Sequence, residues 1–74
     1  MAMAYVLLNS ELGFERDVLK VLKDIPEVRE AFMVYGVYDI IIRVEADTVG
    51  DLKDLIEELR HMEKVRSTLT MIVI

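Results

Sequence analysis

The chain has 74 residues, 54% of them hydrophobic and 31% charged, with nine basic against fourteen acidic side chains, a formal charge of −5 and no cysteine. That composition excludes disulfides, thiolate metal sites and cysteine nucleophiles, leaves room for one core, and argues against direct nucleic-acid binding, which needs clustered Lys and Arg to hold phosphates. A domain this short buries only about 60% of its unfolded surface; with the usual staples absent, the surplus of apolar residues predicts an obligate oligomer.

The opening Met1-Ala2-Met3-Ala4-Tyr5-Val6-Leu7-Leu8 has no positive leader. Its apolar run ends at Asn9, far short of the roughly 20 residues of a membrane span, so a cytoplasmic protein is expected. Ala4 to Asn9 reads as a first strand. Phe14, Val18, Leu22 and Ile25 then recur at helical spacing, with Glu15, Arg16, Asp17, Lys20, Lys23 and Asp24 opposite, which predicts an amphipathic helix stopped by Pro26. Val28 to Tyr35 reads as a second strand and Asp39 to Glu45 as a third, joined through Gly36 as a hairpin. The third strand reads as apolar on both faces, whereas a half-exposed strand should alternate. Thr48 resembles a capping residue, with Asp51 three positions on, for a second helix whose buried stripe is Val49, Leu52, Leu55, Ile56, Leu59 and Met62. Val65 to Ile74 is a last strand, with Ser67, Leu69, Met71 and Val73 on one side and Arg66, Thr68, Thr70, Ile72 and Ile74 on the other.

No repeat, low-complexity tract or linker interrupts this order, so residues 1–74 are expected to form one domain. The order βαββαβ predicts an α+β ferredoxin-like sandwich with both helices on one face of an antiparallel sheet. Its other face keeps aliphatic residues and is expected to pack on a second copy, giving a dimeric αβ barrel through the sheet face and further assembly beyond the dimer. Such a fold serves many functions. Iron–sulfur ferredoxins and metallochaperones need cysteine ligands, and RNA-recognition modules need stacking aromatics in a basic strand; both are absent here.

The turn Val34-Tyr35-Gly36-Val37-Tyr38-Asp39 is the most informative stretch. Gly36 permits a tight turn whose backbone N–H groups stay free for a ligand, and Asp39 is the charge at its rim. A free amino acid brings an ammonium and a carboxylate. Asp39 can meet the first; the N–H groups around Gly36, Val37 and Tyr38, with the Thr68 or Thr70 hydroxyls, can meet the second or the ligand side chain. Tyr35 or Tyr38 would wall the pocket. Each residue has a plainer reading: Gly36 as a turn glycine, Asp39 as a hairpin cap, Thr68 and Thr70 as strand formers. His61 near a helix end reads as solvated, and Asp51/Asp54 and Glu57/Glu58 as a soluble helix face. No metal or cofactor is expected.

Together with Pro26-Glu27-Val28, Val44-Glu45-Ala46-Asp47, Val65-Arg66-Ser67-Thr68-Leu69-Thr70 and the terminal Ile-Val-Ile, this turn resembles the effector domain of the Lrp/AsnC family, also called RAM. The likeness spans nearly the whole chain, and Gly-x-Tyr-Asp is its most specific element. It implies a domain that dimerises through its sheet, assembles dimers into rings and binds an amino acid between them. Full-length members carry a helix-turn-helix domain ahead of this one, so the resemblance is to the stand-alone form. The sequence departs at Lys64, where members commonly have glycine, and Lys64 is expected to narrow or recharge the pocket mouth.

The implied function is a non-enzymatic, amino-acid-binding regulatory module, modulating transcription of amino-acid metabolism through a partner such as a full-length Lrp/AsnC-type regulator. An alternative is a cofactor-free dimeric αβ-barrel enzyme of isomerase or monooxygenase type, which needs a general base in a deep cavity. An ACT-like sensor is another, with Gly13 as its ligand glycine.

Overall fold

The computed structural model describes residues 1–74. The elements run β1 (Ala2–Ser10), α1 (Glu15–Lys23), β2 (Val28–Met33), β3 (Ile40–Ala46), α2 (Val49–Arg60) and β4 (Val65–Ile72). They form one antiparallel sheet in the order β2-β3-β1-β4, the ferredoxin-like βαββαβ arrangement expected from the sequence.

Alternation along the strands decides what is buried. Ala4, Val6 and Leu8 of β1 and Ile40, Ile42 and Val44 of β3 point to the helices, and all six are at most 1% exposed. Val18 and Leu22 of α1, and Leu52, Leu55 and Leu59 of α2, close over them in one core. Thr48 Oγ1 accepts the Asp51 N–H at 3.0 Å, which supplies one of the first-turn donors of α2 with a partner. Three details depart from expectation. Val49 is half exposed, so the stripe of α2 starts later, and Met62 packs against the core from beyond the helix end. Phe14 precedes α1 and is partly exposed.

The third difference lies in β3. Its helix-free side carries Ile41, Arg43 and Glu45, so only one of the three is apolar. The apolar character of that face comes from the neighbours. Register places Phe32, Ile41, Leu7 and Leu69 in one row across the sheet, and Glu30, Arg43, Tyr5 and Met71 in the next. Phe32, Met71 and Leu69 are 56%, 50% and 45% exposed. A bulge in β2 opposes two residues to one between Val28 and Glu30, so Val28 and Ala31 both reach the core although three positions apart.

Candidate functional site

The turn between β2 and β3 is closed by Val34 N–H donating to the Asp39 carbonyl at 2.8 Å, and Asp39 N–H donates to the Leu8 carbonyl at 3.0 Å. β2 therefore ends sooner than Tyr35, and the loop bows out from Tyr35 to Tyr38. Gly36 has φ +151°, and a Cβ there would meet nothing within 4 Å, so glycine is required by the backbone angle and not by crowding. The N–H groups of Tyr35, Gly36, Val37 and Tyr38 have no partner within the chain. Tyr35 is fully exposed and Tyr38 half-buried.

Asp39 Oδ2 accepts the backbone N–H of Ser10 at 3.2 Å, a contact between residues 29 apart in sequence. Its carboxylate is thus aimed across the sheet end towards β1. There it lines a depression of about 510 Å³ with Val37, Asn9, Ser10, Leu12, Arg66 and Ser67 among its walls. Arg66 and Ser67 were not anticipated as site residues. The strand parity that separated Ser67 from Thr68 was the available signal, since Ser67 pairs with Asn9 and Asn9 Nδ2 donates to its hydroxyl at 3.2 Å.

Thr68 and Thr70 pair with Leu8 and Val6 and so point to the helix side. They line a separate groove between β4 and α2 with Ile56, Lys53, Arg60 and Ile72. Arg66 and Ser67 border both hollows. One copy thus brings Val37 and Asp39 to one hollow and Thr68 with Thr70 to another, while Gly36 and Tyr38 line neither. His61 is exposed at the end of α2, its Nε2 3.2 Å from Glu57, and lines neither hollow.

Lys64 adopts φ +70° in the tight turn before β4, a left-handed conformation that an L side chain occupies at a cost of about 1 kcal/mol. Its side chain works against that cost. The Nζ stands 4.4 Å from the Phe14 ring centroid and 3.4 Å from Glu11 Oε2, while its carbonyl accepts the Glu11 N–H at 2.8 Å. Lys64 therefore ties the β1–α1 loop, which carries Leu12 to the depression's rim, to the turn before β4. Exposed cation–π and ion-pair contacts are each worth up to about 1 kcal/mol, so the two sides nearly cancel. Lys64→Ala, which keeps the strain and loses the tie, should unfold at a lower temperature than both the parent and Lys64→Gly. Lys64→Gly should lie within about 1 kcal/mol of the parent; parallel thermal melts check the ranking, and an Ala variant as stable as the Gly variant contradicts it.

The family model described as the Lrp/AsnC ligand binding domain matches residues 3–74. Among solved structures, the chain is similar to the protein FFRP-DM1, with 45% identity, full coverage of both chains and a TM-score of 0.97. It is similar to AsnC of Escherichia coli at 25% identity, covering 99% of this chain and 50% of that one, with a TM-score of 0.88. Among curated proteins, it is 40% identical over 57 residues to a homocitrate synthase of Sulfurisphaera tokodaii, covering 77% of this chain and 12% of that enzyme. The chain spans about an eighth of the length of the curated relatives it matches.

Proposed function

Because the chain belongs to the Lrp/AsnC ligand binding domain family, we propose that it is an effector-binding regulatory module, without chemistry of its own, that binds a free amino acid and acts through its assembly. The observation that carries this reading is the run of four unpartnered N–H groups from Tyr35 to Tyr38, in the loop whose Val37 lines one depression with Asp39. Adjacent free donors and a fixed anion are the complement of a carboxylate and an ammonium on one small molecule. Gly36, Val37, Tyr38 and Asp39 are the primary contacts.

Thr68 and Thr70 lie in the other groove, so their hydroxyls serve a ligand held by a neighbouring copy's turn. A site split in this way is completed by association. Ligand binding then favours one assembly state over another, which is what signalling requires. The first step of assembly is a dimer through the helix-free sheet face, followed by a higher oligomer. The output on transcription of amino-acid metabolism passes through a partner, a full-length Lrp/AsnC-type regulator taken into mixed oligomers. Likeness to part of a homocitrate synthase supports the same reading from another side. A match confined to about an eighth of that enzyme is what a separate binding module would give.

Calorimetric titration with pools of the proteinogenic amino acids tests the proposal. Saturable heat from one or a few is expected. Asp39→Asn keeps an oxygen to accept the Ser10 N–H but loses the charge, so the fold persists while affinity falls. A charge-assisted hydrogen bond is worth about 1.5–3 kcal/mol, so the loss is roughly ten- to a hundredfold. Absence of heat from every pool with the parental protein overturns the amino-acid reading.

A further inference from the structure

The helix-free face holds one group of charges amid its apolar rows. Arg43 Nε donates to Glu30 Oε1 at 2.6 Å, Arg43 Nη1 donates to Glu45, and Arg29 Nε lies 3.7 Å from the other Glu45 oxygen. The β2 bulge at Arg29 is what lets two successive residues, Arg29 and Glu30, both reach β3 partners. Two guanidinium groups and two carboxylates leave no net charge. Arg43 and Glu45 are already largely withdrawn from water, their side chains 24% and 20% exposed. The hydrogen bonds from Glu30 and then Glu45 hold the Arg43 pKa above its usual value.

We propose that the chain of ion pairs Arg29, Glu45, Arg43, Glu30 fixes the register and orientation in which two copies pack sheet face on sheet face. The inference rests on the dimer reading above and deepens it. Apolar rows attract without direction, so Phe32, Leu7, Leu69 and Met71 alone would let two faces slide or rotate on one another. The charged group removes that freedom. Arg43 has five N–H donors, and both donors on Nη2 lack an acceptor within the chain. A register that seats an aliphatic side chain over Nη2 strips its water and returns nothing, while one that seats a polar group or a retained water there is tolerated.

The occupant is a second copy of this chain. Because the network neutralises itself, the covering surface needs no compensating charge, only the same mixture of apolar rows and one polar island. A two-fold interface brings that surface to itself.

The absence of cysteine makes register directly readable, since only an introduced thiol can cross-link. Single cysteines placed in turn at Tyr5, Leu7, Phe32, Leu69 and Met71 should give disulfide dimers at a restricted set of positions in the parental background. In the background Glu30→Leu/Arg43→Leu/Glu45→Leu, sedimentation should still show dimers, with cross-links rising to the parental level at positions formerly silent. Arg43→Lys, which keeps the charge without the fork, should widen the pattern in the same sense and covers the case of a triple variant that does not fold. An unchanged pattern in either background overturns the register lock and leaves the dimer standing. A triple variant that folds as a monomer also overturns it, by making the network a source of affinity. A parental protein that is monomeric and silent at every position overturns the dimer reading itself.

Discussion

Leu7→Asp is expected to sediment as a monomer at micromolar concentrations at which the proposed sheet-face dimer of the parental protein should hold together. Leu7 sits on β1, one of the two interior strands of the sheet, in the row Phe32, Ile41, Leu7, Leu69, and points away from the helices. In an isolated copy, a polar residue there is ordinary, because the exposed face of an antiparallel sheet normally alternates to polar. Under a second sheet about 10 Å away, the carboxylate loses its water, and the cation in the next row, Arg43, is already paired with Glu30 and Glu45. Leaving a charge buried and unpaired costs about 3–5 kcal/mol, and two-fold symmetry imposes it twice, which raises the dissociation constant by well over three orders of magnitude. Far-UV circular dichroism should still show the mixed α/β signal at low temperature, with a lowered melting point. A Leu7→Asp protein that remains dimeric, or a parental protein already monomeric at the same concentration, removes the sheet face as the interface.

The same face shows why the architecture was legible in the sequence and the site was less so. Element order follows from two periodicities that change sharply at Pro26, Gly36 and Thr48, and every one of those breaks falls between elements. The pairing of Thr48 with Asp51 is a local rule and is realised at the N-terminus of α2. Parity along β4 likewise put Leu69 and Thr70 on opposite sides. What could not be read are consequences of contacts far apart in the chain. Asp39 is aimed by the Ser10 N–H, 29 residues away. Nothing local to Asp39 distinguishes that from a hairpin cap, so its meeting with Ser67 and Arg66 was hidden. The bulge at Arg29 leaves no compositional mark, yet it turns Glu30 towards Arg43 and makes the ion-pair chain possible. Lys64 is intermediate. Its position was flagged by the glycine usual there, and the positive φ explains the glycine, but the tie to Phe14 and Glu11 needs the fold to be seen.

Leu8→Ala carries the largest expected loss of stability and tests whether this core stands alone. Leu8 is fully buried, between Ile40 on β3 and Thr68 on β4 in the sheet and beneath both helices. Truncation to Ala at such a site removes the transfer energy of three carbons and leaves a cavity that close-packed neighbours fill only in part, for a total of about 2–5 kcal/mol. A core in a chain of this size rarely supplies more than about 3–5 kcal/mol, so the substitution should consume most of the margin of one copy. Any stability that remains must then come from association. The melting temperature of Leu8→Ala should accordingly climb with protein concentration, as mass action demands when the folded form alone dimerises. Leu12→Ala, at a residue 91% exposed, is the control and should lie within about 0.5 kcal/mol of the parent. If Leu8→Ala instead melts near the parental temperature at every concentration, the core has reserves beyond its size and association is not what holds the fold. If it is unfolded when dilute and recovers when concentrated, folding and assembly are one equilibrium. A ligand bound between copies would then raise the stability of the whole protein along with its affinity for a partner.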